Sequence, residues 1–324
     1  MEEIERKGDP LVIAEHRLRY TYLQFYSSQY GDAHRSGIQC LATLLDQYDL
    51  NRYFDILYQI HQNLVPRNLL FWGEWGQALK EVQAATALCE KNGDYARGQG
   101  MLILRACVHL HAMDFSGVVA ICESIFASVR IPQALRLWHT LMGSAEAALG
   151  NHDRALEHLL KVRDEVVRQP LMSDWADNMP LQASLTELWF RKGDLAQARQ
   201  EAERFLEVSL ATAERTYQGL AWEANARVAI AEQKGQHAED CIAQGLLIIE
   251  GYEVPLAAWR VHGTSAELHA RAGKSDLAKH HRELSRATIM KLANSLDPED
   301  PLRATFLSAP PVRRVIDYAD RIGT

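Results

Sequence analysis

Glycine and proline are scarce in this chain of 324 residues, which contains 19 glycines and 10 prolines. Collagen-like and long low-complexity segments need far more of both, so neither organisation is expected. Basic residues are also in deficit, since 35 lysines and arginines face 42 aspartates and glutamates and the formal net charge is −7. Nucleic acids and anionic membranes attract basic surfaces, so this balance disfavours a dedicated binder of either.

Targeting signals and long apolar runs are missing as well. Residues 1–7 are charged, whereas a signal peptide needs an apolar core. The most apolar stretch, residues 101–104, ends at Arg105 and falls far short of the roughly 18 residues of a membrane span. The five cysteines are scattered and form no C-x-x-C pair, which is typical of cytosolic proteins. We therefore expect a cytoplasmic protein.

A short phrase does recur: an apolar helical run, a glycine, aspartate or asparagine, an apolar residue and then alanine. Clear copies begin at Gly73, Gly150, Gly193 and Gly273, and weaker ones at Gly31, Met113 and Gly235. The seven anchors are separated by 42, 40, 37, 43, 42 and 38 residues, a period near 40.

Each part of the phrase has a physical role in a helical hairpin. Glycine takes the left-handed conformation that ends a helix, and the next polar residue accepts from the N–H groups of the following helix. The alanine is small enough for two helices to approach closely. Pro132, Pro180 and Pro255 are expected to mark helix starts, where proline loses no hydrogen bond. The sequence predicts an all-α, elongated array of hairpins that bury their apolar faces against one another.

The phrase resembles the tetratricopeptide repeat, whose usual period of about 34 residues is exceeded here. The resemblance implies a right-handed superhelical solenoid of about seven antiparallel helical hairpins over residues 1–300. Residues 301–324 are expected to form a C-terminal capping segment with a capping helix, because a solenoid otherwise exposes an apolar end.

The second half resembles a narrower group of proteins. Trp175, Leu188-Trp189, Ala221-Trp222-Glu223-Ala224 and the segments 253–262 and 301–307 follow one another in order. This order is similar to the C-terminal helical sensor region of bacterial signal-transduction ATPase regulators, over about residues 170–320. The ATPase and output domains of such regulators are absent from this sequence, so ATP hydrolysis and DNA binding are not carried over.

The candidate catalytic and metal-binding motifs do not have the residue spacing that their chemistry requires. Gly273-Lys274-Ser275 looks like the end of a phosphate-binding loop, but Leu268 occupies the position of its first glycine. Cys107, His109 and His111 alternate along a helix and point apart, so they cannot bind one ion together. We expect no catalytic residue, no cofactor and no metal site.

The repeat frame predicts which residues face the concave groove. In repeats of this kind the first helix of each hairpin lines the inner surface, at positions 2, 5, 9 and 13 when the turn glycine is position 15. The candidate binding residues are then Asn63, Arg67, Thr140, Ser144, Glu187, Arg191, Trp222, Asn225, Arg260, Glu267 and Arg271. Their mixture of charges and amides suits a protein or peptide segment, or a small effector.

The main hypothesis is a non-enzymatic repeat scaffold, the sensor or interaction module of a bacterial regulatory system. One alternative is a stand-alone sensor of a small molecule or signalling peptide that changes superhelix conformation on binding. A second alternative is an enzyme whose acid and base residues carry no motif.

Overall fold

The computed structural model describes residues 10–47, 65–91, 93–129, 131–171 and 174–320, and its regular elements in these ranges are all helices. They are α1 (Pro10–Tyr26), α2 (Tyr30–Gln47), α3 (Val65–Trp72), α4 (Trp75–Lys91), α5 (Tyr95–His111), α6 (Phe115–Ile125), a 3-10 turn (Phe126–Ser128), α7 (Pro132–Ala148), α8 (His152–Arg168), α9 (Asp174–Lys192), α10 (Leu195–Leu210), α11 (Arg215–Ala231), α12 (Gly235–Ile249), α13 (Pro255–Arg271), α14 (Ser275–Asn294), α15 (Pro301–Ser308) and α16 (Pro310–Asp320). The helical-repeat fold predicted from the sequence is confirmed.

The helices pair through short turns in which one residue has a positive φ. Gly73, Gly150, Gly193 and Gly273 take this conformation, with φ between 71° and 89°. Of the three weaker turns, the one at Met113 has its positive φ at the predicted anchor, whereas Ser28 and Gln233 carry it in the other two. Gly31 and Gly235 already lie inside the first turns of α2 and α12. These two turns therefore lie two or three residues earlier than the sequence pattern predicts.

One turn was not predicted, and one expectation about a proline needs correction. Gly93-Asp94 forms a turn in addition to those at the seven anchors, and the Asp94 side chain accepts there from the N–H of Arg97 at 3.1 Å. Pro132 and Pro255 are the first residues of α7 and α13, whereas Pro180 lies inside α9, six residues after its start at Asp174. The expectation that Pro180 starts a helix is wrong.

Alternate helices form the inner and outer layers of the superhelix. The odd-numbered helices α3 to α13 supply most of the inner wall, and their even-numbered partners pack outside them. The alanines of the repeat phrase, Ala78, Ala155, Ala198 and Ala278, are all buried where paired helices meet. Their small side chains permit the close packing that larger residues would prevent.

The array is closed rather than extended, because its early and late hairpins touch. Trp75 at the start of α4 is fully buried and packs edge-on against Phe306 of α15, with ring centroids 5.0 Å apart. Its backbone N–H donates to the Ser295 hydroxyl at 3.1 Å. The Trp72 indole N–H donates to Glu253 at 2.8 Å, just before α13. We call these contacts the closure.

Helices α15 and α16 take part in the same contacts. Leu302, Phe306 and Val312 are buried in one apolar cluster that also contains Trp75 of α4 and Leu292 of α14. The segment therefore covers the end of α14 and also joins it to the early hairpins. The division into residues 1–300 and 301–324 stays a prediction.

A second set of contacts seals the N-terminal hairpin against the middle of the chain. Tyr30 and Ser28 both donate hydrogen bonds to the Glu214 carboxylate, the latter at 3.0 Å. Glu214 also accepts from the backbone N–H of Tyr217 at 2.7 Å and of Thr216 at 3.3 Å, at the start of α11. One buried carboxylate thus caps α11 and anchors the turn before α2.

None of the helices in the described part of the chain is long and apolar enough to cross a membrane.

Two hairpins contain a matching pair of histidines. The Nδ1 atoms of His139 on α7 and His158 on α8 are 2.8 Å apart, and those of His262 on α13 and His281 on α14 are 3.0 Å apart. In each contact one ring donates and the other accepts, so protonating the acceptor breaks the bond. Burial is the largest cause that lowers the pKa of His139 and of His262 to about 4.

These pairs predict that stability decreases in mild acid. Between pH 6.5, where an unfolded histidine titrates, and pH 4, the unfolded chain binds protons that the folded pair excludes. The free energy of unfolding should therefore fall as pH decreases, by about 1 kcal/mol per histidine from pH 7 to 5.5. Asp177, whose pKa burial raises to about 6, acts in the opposite direction.

The double variant His139→Asn, His262→Asn isolates the effect, since asparagine can hydrogen-bond near Nδ1 but does not titrate. Urea denaturation at pH 7 and 5.5 should show a smaller loss of stability in the double variant than in the parent. His16→Asn, at an exposed position on α1, serves as the control. Equal losses in the double variant and the parent would contradict the prediction.

Candidate ligand-binding cavity

The superhelix encloses a cavity of about 1460 Å³. Its wall is built from the inner faces of α3, α5, α7, α9, α11 and α13, with the end of α1 and the α15–α16 junction completing it. Because the early and late hairpins meet, the inner surface forms a chamber that stays partly open to solvent. Its volume exceeds the roughly 300–1,000 Å³ of a small-molecule pocket, so the chamber has room for a larger ligand.

One side of the cavity is aromatic. Phe71 on α3 lies at the centre of this side, with its ring centroid 5.3 Å from that of Phe25, 5.9 Å from that of Tyr217 and 6.3 Å from that of His111. We call these four residues the aromatic patch. Burial is the main cause that lowers the pKa of His111 to about 4, so this ring is neutral near pH 7.

The charged lining has an excess of cations. The arginines are Arg67, Arg191, Arg227, Arg260, Arg271, Arg282 and Arg314, and the acidic residues are Asp177, Glu187, Glu214, Glu223 and Glu267. The interior is therefore formally positive, although the whole chain carries −7. A cavity with this charge attracts anionic groups.

Several of these charges are paired with one another. Glu187 accepts from Arg191 at 2.6 Å and from Arg227 at 2.9 Å, a set of ion pairs that joins α9 to α11. Burial opposes ionisation of Glu187, but Arg227 and Arg191 hold its pKa below the ordinary value. Thr264 donates to Glu223 at 2.8 Å. The hydrogen bonds of Glu187 and Glu223 are therefore largely formed within the protein itself.

Arg67 and Arg260 differ from the other arginines of the wall. Within the described residues, neither guanidinium has a hydrogen bond or a carboxylate within 4.0 Å. Arg260 lies over the Trp259 ring, 4.5 Å from its centroid, and Arg67 is 6.0 Å from the centroid of Phe25. Burial is the largest cause that lowers the pKa of Arg260. Both cations thus face the cavity without an anionic partner in the described part of the chain.

Asp177 on α9 is a buried acceptor in the same wall. Its Oδ2 atom has no hydrogen-bond partner among the described residues and lies 4.0 Å from the Arg136 guanidinium. Burial raises its pKa to about 6, while Arg136 and Arg67 act in the opposite direction. Arg136 itself is held by Asp174, with which it forms a buried ion pair.

The cavity brings together eight of the residues predicted from the repeat frame: Arg67, Thr140, Ser144, Glu187, Arg191, Arg260, Glu267 and Arg271. Asn63 lies outside the described residues. Ser144 bonds to Ser184 of the neighbouring α9 at 2.6 Å, and Glu267 pairs with Arg271 at 2.5 Å. That these residues bind a ligand stays a prediction.

Trp222 and Asn225 do not line the cavity, and the prediction that they face it is corrected. The Asn225 amide donates to the carbonyls of Ala202 and Ala221, both at 2.9 Å, between α10 and α11. Trp222 packs against the core formed around Ile242 on α12.

The cause is the position of the turn before α12. Counting from Gln233, the residue with positive φ, moves the inner positions to Glu223 and Arg227. Both of these residues line the cavity. The same frame places Phe71 and His111 on the wall. They were missed because only polar and charged residues and Trp222 were selected as candidates at the inner positions.

Within the described part of the chain, no three histidine, cysteine, aspartate or glutamate side chains converge as a metal site would require. The five cysteines are free and buried.

Fold and cavity together define a helical-repeat protein of the tetratricopeptide-like class, with its inner surface closed around a chamber. No protein-family model matches the sequence, and no curated protein matches it significantly. Solved structures do share the fold.

NprR in complex with its cognate peptide NprX has a TM-score of 0.58 at 12% identity, over 98% of this chain and 91% of that chain. The apo form of RapI has a TM-score of 0.50 at 10% identity, over 96% and 86% of the two chains. Aspartyl phosphate phosphatase F from Bacillus subtilis also has 0.50, at 11% identity, over 95% and 84%. At these identities the similarity shows the fold alone.

Proposed function

We propose that this protein is a non-enzymatic regulatory sensor, acting in the bacterial cytoplasm, that binds a short peptide in the central cavity. The observation that carries the proposal is the chamber itself, which combines the aromatic patch with the unpaired cations Arg67 and Arg260. Support also comes from NprR, a structure of the same fold that is described with a bound peptide.

A short peptide suits the cavity better than a folded partner does. The early and late hairpins touch at the closure, which restricts side-on entry of a large surface. A peptide offers apolar side chains to the aromatic patch and polar backbone to wall groups such as Thr140 and Ser144. Binding at the inner surface of a superhelix then changes the relative positions of the hairpins, which is how a sensor would report its ligand.

The proposal is non-enzymatic because the charged groups of the wall are largely paired with each other, as in the contacts of Glu187 and Glu223. One protein of the same fold is named a phosphatase. Assaying this protein for hydrolysis of aspartyl phosphate therefore tests the alternative, and turnover above background would overturn the non-enzymatic part.

Binding can be tested by thermal shift with pools of short synthetic peptides. We expect the pool that contains a ligand to stabilise the protein by about 2.7 kcal/mol at a hundredfold excess over the dissociation constant. Ala183→Trp, which fills part of the cavity wall on α9, should abolish the shift. Ala196→Trp, at an exposed position on α10, is the matched control and should retain it.

The scaffold alternative makes the opposite prediction. If no peptide shifts the melting temperature and a protein partner still binds Ala183→Trp with unchanged affinity, the cavity is not the binding site and the proposal fails.

A further inference from the structure

We infer that the ligand carries a carboxylate that lies between Arg67 and Arg260, and that binding this carboxylate stabilises the closed superhelix. The inference rests on the proposed function, since it names the chemistry that the peptide must bring into the cavity. It also adds a mechanism, because the two arginines belong to helices that meet only when the superhelix closes.

The first support is that donors are left without acceptors. A guanidinium presents five N–H donors and cannot lose its charge near neutral pH. Arg191, Arg227 and Arg271 satisfy theirs with carboxylates at 2.5 to 2.9 Å. Arg67 and Arg260 instead stand beside aromatic rings. Both residues are half-buried and face the cavity, so their N–H groups are placed to donate to an anionic group of a ligand.

The second support is the shortage of free anions nearby. Glu187 and Glu223 are the carboxylates with most influence on Arg260, but Arg191, Arg227 and Thr264 already bind them. Asp177 influences Arg67 electrostatically from beyond ion-pair distance. Asp177 lines the same cavity with its Oδ2 atom unpartnered among the described residues, but it forms no ion pair within 4.0 Å with either arginine.

The third support is where the arginines sit. Arg67 is on α3 and Arg260 is on α13, and these helices touch at the closure. Gly73, at the end of α3, lies directly against Pro255, the first residue of α13. The aromatic patch connects the two cations, since Tyr217 is electrostatically coupled to Arg67 and His111 to Arg260.

A carboxylate at this place would act on the closure directly. A carboxylate that contacts both guanidiniums would link α3 to α13, which touch at the closure, and bidentate contact with arginine favours a carboxylate. Since the ligand binds the closed form more tightly, it shifts the population toward closure.

The test uses three pools of short random peptides. In the first, only the C-terminal carboxylate is present; in the second, the C-terminus is amidated and aspartate and glutamate side chains are allowed; in the third, both are absent. We expect the first or the second pool, but not the third, to raise the melting temperature and reduce the radius of gyration in small-angle X-ray scattering. The pool that succeeds identifies the source of the carboxylate.

Variants then assign the site. For a peptide selected from the successful pool, Arg67→Gln and Arg260→Gln should each weaken binding by at least about 30-fold. The ligand-free melting temperature of these variants should be unchanged or higher, because neither guanidinium makes a hydrogen bond or an ion pair with the described residues. Arg168→Gln is the control, since Arg168 is an exposed residue of α8 that pairs with Asp164 and does not line the cavity, and its binding should stay within about threefold.

The failures are distinguishable. If the third pool binds as tightly as the others and both variants bind normally, peptide binding stands and the carboxylate inference is overturned. If a carboxylate peptide binds through Arg67 and Arg260 without compacting the protein, the coupling to closure is overturned. If no pool binds, the proposed function fails and the inference fails with it.

Discussion

Replacing Glu214 with alanine should lower the free energy of unfolding by about 3–5 kcal/mol. This carboxylate is 1% exposed and serves two structures at once. It caps the start of α11 through two backbone N–H groups, and it accepts hydrogen bonds from Tyr30 and Ser28 of the N-terminal hairpin.

Alanine removes all of these acceptors. Loss of a helix cap costs about 1 kcal/mol, and each hydrogen bond lost from a buried hydroxyl to the carboxylate costs about 1.5–3 kcal/mol, although Tyr30 keeps its contact with the Thr216 hydroxyl at 2.6 Å. Tyr30 and Ser28 are only 2% and 3% exposed, so water does not readily replace the carboxylate. Urea denaturation at neutral pH measures the loss.

Asp194→Ala is the matched control. Asp194 caps α10 by accepting from the N–H of Gln197 at 3.1 Å, but it is exposed, and its side chain makes no hydrogen bond or ion pair with another hairpin among the described residues. This variant should lose about 1 kcal/mol. A loss for Glu214→Ala no greater than that would show that the contacts with the N-terminal hairpin contribute nothing to stability.

Replacing Gly76 with alanine should destabilise the closure, with a loss of about 3 kcal/mol and an increased radius of gyration. Gly76 is the second residue of α4, and a Cβ atom there would overlap with the carbonyl oxygen of Ser295 and lie 3.5 Å from the Leu296 Cα. These are backbone atoms at the end of α14, which cannot rotate away as a side chain would. The added methyl group must therefore push α4 from α14.

Gly235→Ala is the control, since Gly235 is the first residue of α12 and a Cβ atom added there would have nothing within 4 Å among the described residues. There alanine favours the helix and should leave stability equal or raise it by up to about 1 kcal/mol. Equal melting temperatures and equal scattering for the two variants would contradict the closure as a specific, tightly packed contact.

The pattern of the sequence was sufficient for the helical-repeat fold and for much of the inner wall. Each hairpin needs a glycine to end its first helix and an alanine where its two helices meet. These residues therefore recur at a period that can be recognised in the sequence. Gly235 shows the limit of the pattern. The chain turns at Gln233, whereas the repeat pattern expects the turn at the glycine. The predicted inner positions were therefore shifted by two residues, which placed Trp222 and Asn225 in the groove by mistake.

The closure could not be predicted from the repeat period. Trp72 and Glu253 are 181 residues apart in the chain, and no repeated phrase marks either of them. Their meeting depends on the accumulated rotation of all the hairpins between them, a quantity to which each helix packing angle contributes a little. The lack of ion-pair partners for Arg67 and Arg260 depends on the same three-dimensional arrangement, so it could not be predicted from the sequence either.

The closure also constrains how this protein can evolve. Open repeat arrays gain or lose hairpins by duplication and deletion, because each unit touches only its neighbours. Here Trp75 must meet Phe306 and Ser295, so one hairpin more or fewer would rotate these residues out of contact. Relatives that keep the chamber should therefore keep their hairpin number, and their length should vary in loops instead.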